Sequence, residues 1–275
     1  MVRRAGLVLQ QVHSRSPQSA DEAVRFIGSG QTIEKLEALD SCSFLMLSLP
    51  DSAIADVASR LSVANVVAPG TVVFHCSGAL STQALHPLRD SGALVASAHP
   101  IKSFADSSLA LRIFEGTYVA LEGDTSACEA LHSLFNDIGG NVLHMTPEAK
   151  TLCHIGHVCA SNYLVAVLDL AQQLYQRAGI DDSVSMNFLR PIVQGTVENV
   201  LSLGTTKALT GPIMRGDVAT VQQHADLLGK EIPSLSPIYA ALAAVVLEIA
   251  TRAGLSDTDS AGVRGVLQHM LAQNR

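Results

Sequence analysis

The chain has no cluster of lysines or arginines, and its 25 acidic against 18 basic residues give a formal net charge of -7 over 275 residues. That excludes nucleic acid as the expected partner, because phosphates need a basic face to bind against. Charge of either sign is scarce, at 16% of residues against 48% hydrophobic. A disordered or solvating chain is therefore excluded as well. A disulfide framework is also lacking, since the five cysteines at 42, 76, 128, 153 and 159 are odd in number and irregular in spacing. They read as reduced thiols in a cytoplasmic protein. The apolar run near the start is short and broken by Gln10, Gln11 and His13, which disfavours a signal peptide. The most apolar later stretch, Ile238 to Ala250, falls short of the ~20 residues that a bilayer crossing needs, so no membrane partner is expected. No repeat or low-complexity tract is visible. What remains is a globular chain long enough for two domains, with a small-molecule substrate as its expected partner.

Between residues 43 and 146 apolar runs alternate with helix-like segments. SFLMLSLP, TVVFHCSGA, ALVASAHP, GTYVALEG and NVLHM are the predicted strands, and AIADVASRL and ACEALHSLF are two of the helices between them. Runs that are apolar throughout suit strands covered on both faces, and the β-α-β-α order implies a mostly parallel, doubly wound sheet. At the start of the chain Gly6 to Val12 reads as a further strand, Ser14 to Pro17 as a turn and Ala20 to Ile27 as a helix. After Pro147 the pattern becomes helical. Glu148 to Ala178 can be written as one long helix, Asp181 to Leu203 as another interrupted near Arg190-Pro191, and three more follow from about Val218, Ser236 and Asp257, the last reaching Gln273. The fold class is α/β followed by an all-helical domain, with residues 1–146 forming the sheet domain and 147–275 the helical one.

Ligands of doubly wound sheets sit beyond the carboxyl ends of the strands. Those ends offer Pro50 in SLPDSAI, His75, Ser77 and Gly78 in HCSGAL, and His99 and Lys102 in SAHPIKSF. His99, held extended by the following proline, can project its ring over the crevice and exchange a proton with a reacting carbonyl or imine. Lys102 could bind an anionic substrate. Arg15, between Ser14 and Ser16 after the first strand, stands where an arginine suits the extra phosphate of NADP and an acid would suit NAD. In the helix that follows Pro147, His154, His157 and Ser161 share a face while Asn162 lies about 80° from His154, and so dense a set of polar groups is costly unless it faces a cleft or finds partners. Cys153, His154, His157 and Cys159 cannot be aimed from one helix at one tetrahedral point, so no metal is expected. Thr210, Arg215 and Asp217 lie in a stiff loop, TGPIMRGD, where a helix-capping role for Asp217 and contact with a ligand or second subunit are equally good readings.

Taken in order, HSRSPQSA, LPDSAI, HCSGAL, SAHPIKSF, LEGD, HIGHVCASNYLV and ALTGPIMRGD resemble a family of uncharacterised two-domain proteins, labelled candidate NADP oxidoreductases. These have a Rossmann-like domain followed by a helical domain of unknown function. More distantly the chain is similar to 6-phosphogluconate dehydrogenase, pyrroline-carboxylate reductase and prephenate dehydrogenase. The resemblance implies hydride transfer between NADP and a small metabolite. It places the nicotinamide near Pro50, Ser77 and Gly78 and the phosphates near Ser14, Arg15 and Ser16. Substrate would lie among His99, Lys102, His154, Ser161 and Asn162, with Asn162 orienting it, Lys102 binding charge, and His99 or His154 donating the proton. It also implies a homodimer through the helical domain, for which Ala240, Leu242, Ala243, Val246 and Leu247 supply apolar surface.

Family members begin with a strand, a GxGxxG-type turn and a helix before the stretch that matches AGLVLQQVHSRS. Arg3 to Leu7 then corresponds to the end of that first helix, and the glycine loop that would hold the pyrophosphate is missing. Gly28 and Gly30 in FIGSGQ read as the cap of a preceding helix and do not replace it. The expectation that follows is weak or absent NADPH binding by these 275 residues, and the rival to an enzyme is a noncatalytic ligand-sensing or protein-interaction module.

Overall fold

The computed structural model describes residues 6–102, 104 and 114–272. Most of the Arg3 to Leu7 stretch lies outside them, as does the predicted helix end at Gln273. The strands are β1 (Gln11–His13), β2 (Gln31–Ile33), β3 (Phe44–Leu47), β4 (Val72–His75), β5 (Leu94–Pro100), β6 (Tyr118–Gly123) and β7 (Asn141–His144). They form not one sheet but two, with β1 and β2 parallel in a small sheet and β3-β4-β5-β6-β7 side by side in the larger. All pairs of the larger sheet are parallel except β5 with β6. β1 and β3 therefore each keep one edge without a strand partner among the described residues.

Strand parity decides which residue meets which helix. Val72 and Phe74 of β4, Ala96 and Ala98 of β5, and Val119 and Leu121 of β6 pack on one face against Ala127, Leu131, Leu134 and Phe135. Those four belong to helix α3 (Thr125–Asp137). Val73 and Val95, of opposite parity, pack on the other face against Ile54, Ala58 and Leu61 of helix α2 (Asp51–Ala64). Both faces are covered, as apolar runs without alternation require. Helix α1 (Pro17–Ile27) starts on a Ser16 cap with proline in its first turn and stops at Gly28, whose φ of 82° supplies the left-handed cap.

The predicted long helix is interrupted. Helix α4 (Pro147–Ala160), capped by the Thr146 side chain, ends at Ser161, and α5 (Asn162–Arg177) follows at once. The predicted break at Pro191 is absent, for α6 (Asp182–Leu203) runs through it. Pro191 is exposed, so the carbonyl that loses its partner there can be hydrated. The chain divides into two compact units, Met1–Leu168 and Asp169–Arg275.

Within the second unit, after the short α7 (Thr205–Ala208), a core forms among α8 (Val218–Glu231), α9 (Ser236–Arg252) and α10 (Asp257–Ala272). Val221, Leu228, Ala240, Ala243, Leu247, Val263 and Leu267 lie in it. This corrects two expectations. Ala240, Ala243 and Leu247 are consumed by the chain's own core, leaving Leu242 exposed. And two helical stretches, Pro147–Arg177 with mean hydropathy 1.3 and Pro233–Arg252 with 1.6, do reach the length and apolarity of a bilayer span. The second is a core helix, for which the same composition is ordinary.

Candidate functional site

The site is built where β4 and β5 end. After His75 the chain turns through Cys76, Ser77 and Gly78, and the Ser77 hydroxyl holds the turn by accepting from the backbone N–H groups of Ala79 (3.1 Å) and Leu80 (2.9 Å). His99, at the end of β5, has its ring 6.1 Å from that of His154 and 6.1 Å from that of His157. Gly78 lies against two of these rings. An ideal Cβ there would fall 2.5 Å from His154 Nδ1 and 2.9 Å from His99 Nε2. Only glycine permits this approach, although its φ is unexceptional; the requirement is steric. The Nδ1 atoms of His154 and His157 are buried and have no hydrogen-bond partner among the described residues, an unusual condition for polar atoms in a folded protein.

His99 has a definable tautomer. Its Nδ1 is 3.1 Å from the Cys76 carbonyl, and a carbonyl can only accept, so Nδ1 carries the proton and Nε2 the free lone pair. Burial, and secondarily the charges of Lys150, His154 and His157, hold its pKa below the ordinary 6.5. At neutral pH His99 is therefore a neutral imidazole whose basic nitrogen faces Gly78 and His154.

Beneath the histidines is a polar network in which His75 and Ser77 join two residues that sequence reasoning missed, Lys150 and Glu122. Lys150 is only 2% exposed, and its Nζ donates to Leu80 O and Ser97 Oγ. His75, fully buried, donates from Nε2 to Ser81 O (3.2 Å) and accepts at Nδ1 from the Ser77 N–H (3.2 Å). Glu122, at the end of β6, accepts from the Thr82 N–H (2.8 Å) and hydroxyl (2.6 Å). Burial lowers the pKa of Lys150 to about 8 against the opposing pull of Glu122, Asp51 and Cys76. The signal available in sequence was a lone acid closing YVALEG and a lone base in the first turn of an apolar helix, each costly inside unless partnered.

The remaining candidates are placed as follows. Pro50 ends the β3 turn as the cap of α2. Ser14, Arg15 and Ser16 form the turn between β1 and α1, where Arg15 is exposed and the Ser16 hydroxyl accepts from Ser19 N at 3.4 Å. Lys102 is half-buried just beyond β5. Ser161 and Asn162 are exposed at the junction of α4 and α5, and no hydrogen bond among the described residues joins their side chains to the histidines. In the second unit Asp217 caps α8, accepting from the Thr220 N–H (3.0 Å) and hydroxyl (2.6 Å); the Thr220 bonds hold its carboxyl below the usual range. Arg215 and Thr210 are exposed.

Residues 1–100 match a Rossmann-like domain, and residues 117–246 match a domain of unknown function, DUF2520. Over these two ranges, in order, the chain is similar to a Rossmann-like domain and to DUF2520. No curated protein matches it significantly. Among solved structures, a candidate NADP oxidoreductase from Bacteroides fragilis is 20% identical with a TM-score of 0.72, covering 88% of this chain and 90% of that one. A Thermotoga maritima protein is 26% identical with a TM-score of 0.68, covering 87% and 90%. An imine reductase from Pseudomonas sp. is 17% identical with a TM-score of 0.55, covering 96% and 85%. These likenesses bear on the fold.

Proposed function

We propose that the chain is an oxidoreductase that transfers a hydride between NADP and a small metabolite, with His99 handling the proton. The observation that carries this reading is the convergence of His99 and His154 on Gly78 at the carboxyl ends of the parallel strands, where the fold class receives its ligands. The candidate NADP oxidoreductase and the imine reductase among similar folds support the reaction class. Bound NADP would supply or accept the hydride. A neutral His99 with a free Nε2 is ready to take the proton of an alcohol or amine as it is oxidised; in the reverse direction its protonated form returns that proton.

NADP fits this chain at two points and not at a third. Arg15 is free to meet the extra phosphate, and Pro50, Ser77 and Gly78 form adjacent strand ends suited to the nicotinamide. None of the described strand-to-helix turns, however, is a glycine-rich loop of the kind that cradles a pyrophosphate. That third point favours a second reading, a ligand-sensing module using the same histidines. Turnover separates the two: loss of NADPH absorbance with small carbonyl or imine compounds, abolished in His99→Ala, supports the first, whereas NADPH-induced shifts of the His99 and His154 ring signals without any such oxidation contradict it and support the second.

We also propose a homodimer, on different residues from those first expected. Tyr163 and Val165 of α5, and Phe188, Ile192 and Leu201 of α6, are 59 to 81% exposed. Apolar surface of this extent on helices that bury almost nothing of their own is best satisfied by a second copy of the chain.

A further inference from the structure

Lys150 and His154 are four residues apart on α4 and so lie on one face of that helix. Ser97 and His99 are two residues apart on β5 and so lie on one face of that strand. The contact between helix and strand thus has two rungs. In the lower, Lys150 Nζ donates to Ser97 Oγ; in the upper, the His154 and His99 rings meet edge to face at 6.1 Å. The same ammonium also donates to Leu80 O, which closes the turn carrying Gly78. We propose that Lys150 is the positioning residue of the site, setting the spacing of His99 and His154 by tying α4 at once to β5 and to the Gly78 turn.

The surroundings are arranged to hold this one cation in place. Ser97 Oγ lies 3.5 Å from both His75 Nδ1 and Ser77 O, so the lower rung continues into the hydrogen bonds that pin residues 77–81. Glu122 from β6, Asp51 from α2 and Cys76 from the turn face Lys150 electrostatically. Yet the Glu122 carboxylate is engaged by Thr82, and the direct partners of Lys150 are neutral. A buried ammonium with neutral partners is sensitive both to its own protonation and to the exact placement of its acceptors. Its charge acts on His99 as well, disfavouring the imidazolium. Lys150 accordingly sets where His99 stands and how tightly it holds a proton.

The inference rests on the histidine constellation but not on hydride transfer, and its test needs no cofactor. Ring signals of His99 are followed by NMR across pH 5 to 10 in the natural protein and in Lys150→Met and Ser97→Ala. The expected result is a second inflection of the His99 signals near pH 8, as Lys150 titrates. Lys150→Met should abolish that inflection and raise the proton affinity of His99 several-fold. Ser97→Ala keeps the charge, so it should retain the inflection while weakening the ring-to-ring Overhauser contact of His99 with His154. If Lys150→Met does not fold, the natural protein and Ser97→Ala decide. A His99 titration with one inflection, or a His99–His154 contact unchanged in Ser97→Ala, overturns the proposal. A structural lysine alone would cost stability in either variant without producing the second inflection.

Discussion

Pro147–Arg177 and Pro233–Arg252 are alike in composition and opposite in use. Both are long and apolar. The second turns Ala240, Ala243, Leu247 and Ala250 inward, a strip of helical period that lets α8 and α10 approach. The first is inside out. Its buried residue on α4 is Lys150, and its half-buried ones include His154 and His157, while Leu152 and Ile155 face outward. One helix is spent on making a core, the other on presenting polar groups to a site. A window of mean hydropathy cannot separate the two, because what differs is which face the polar groups occupy.

The contrast is testable by substitution. Leu247→Ala in the core helix should cost about 2–5 kcal/mol of stability by chemical denaturation, because it leaves a cavity in packed surroundings. Leu152→Ala, on the outward face, should cost less than about 0.5 kcal/mol. Equal losses at the two positions would erase the distinction. Gly78→Ala comes next in size: its Cβ must displace two rings, a strain of about 1–3 kcal/mol, and the ring signals of His99 and His154 should shift while those of His224 in the second unit do not.

The effect of pH follows the same division. Burial holds both His75 and His99 below the ordinary 6.5, so the unfolded chain takes up protons near that pH while the folded one does not. Stability from these groups is complete above about 6.5 and falls as acidification passes toward their folded values. Lys150 acts at the alkaline end. With a folded value of about 8 against 10.5 unfolded, the unfolded state holds the extra proton between them, and stability rises with pH across that window. Thermal melts from pH 5 to 10 should show the acid slope directly, and the upper one as the difference between the natural protein and Lys150→Met, since burial raises Cys76 and Cys128 to about 11 and they act in the opposite sense above pH 9.

Much of this was legible in the sequence, for identifiable reasons. His99 and Gly78 stand out in the sequence because strand ends are local features, and His154 because a polar stripe on an apolar helix is visible at helical period. Lys150 was not, since its burial depends on the register between α4 and β5, which no one-dimensional pattern encodes. The dimer surface was first sought on Ala240, Ala243 and Leu247 because they are apolar; only the packing of α8 and α10 shows that they are already covered. Pro191 misled because a helix tolerates proline where the freed carbonyl reaches water.

Smaller effects probe the assembly and the cofactor. Val165→Asp should leave the stability of the folded unit nearly unchanged yet shift light scattering from a dimer toward a mass near the 28.9 kDa of one chain. A monomer in the natural protein at micromolar concentration would remove the dimer. Arg15→Ala should weaken NADPH several-fold while leaving NADH unaffected, as calorimetry would report; equal losses would mean that Arg15 does not meet the extra phosphate.

The pairing of His99 with His154 is the centre of this account, and the proton affinity of His99 tests it most directly. The measurement is the NMR titration of His99 in the natural protein and in His154→Gln. The account predicts a value below the ordinary 6.5 that moves upward when the neighbouring imidazole is replaced by a group that cannot take a proton. A His99 that titrates at its ordinary value and ignores His154→Gln would contradict it.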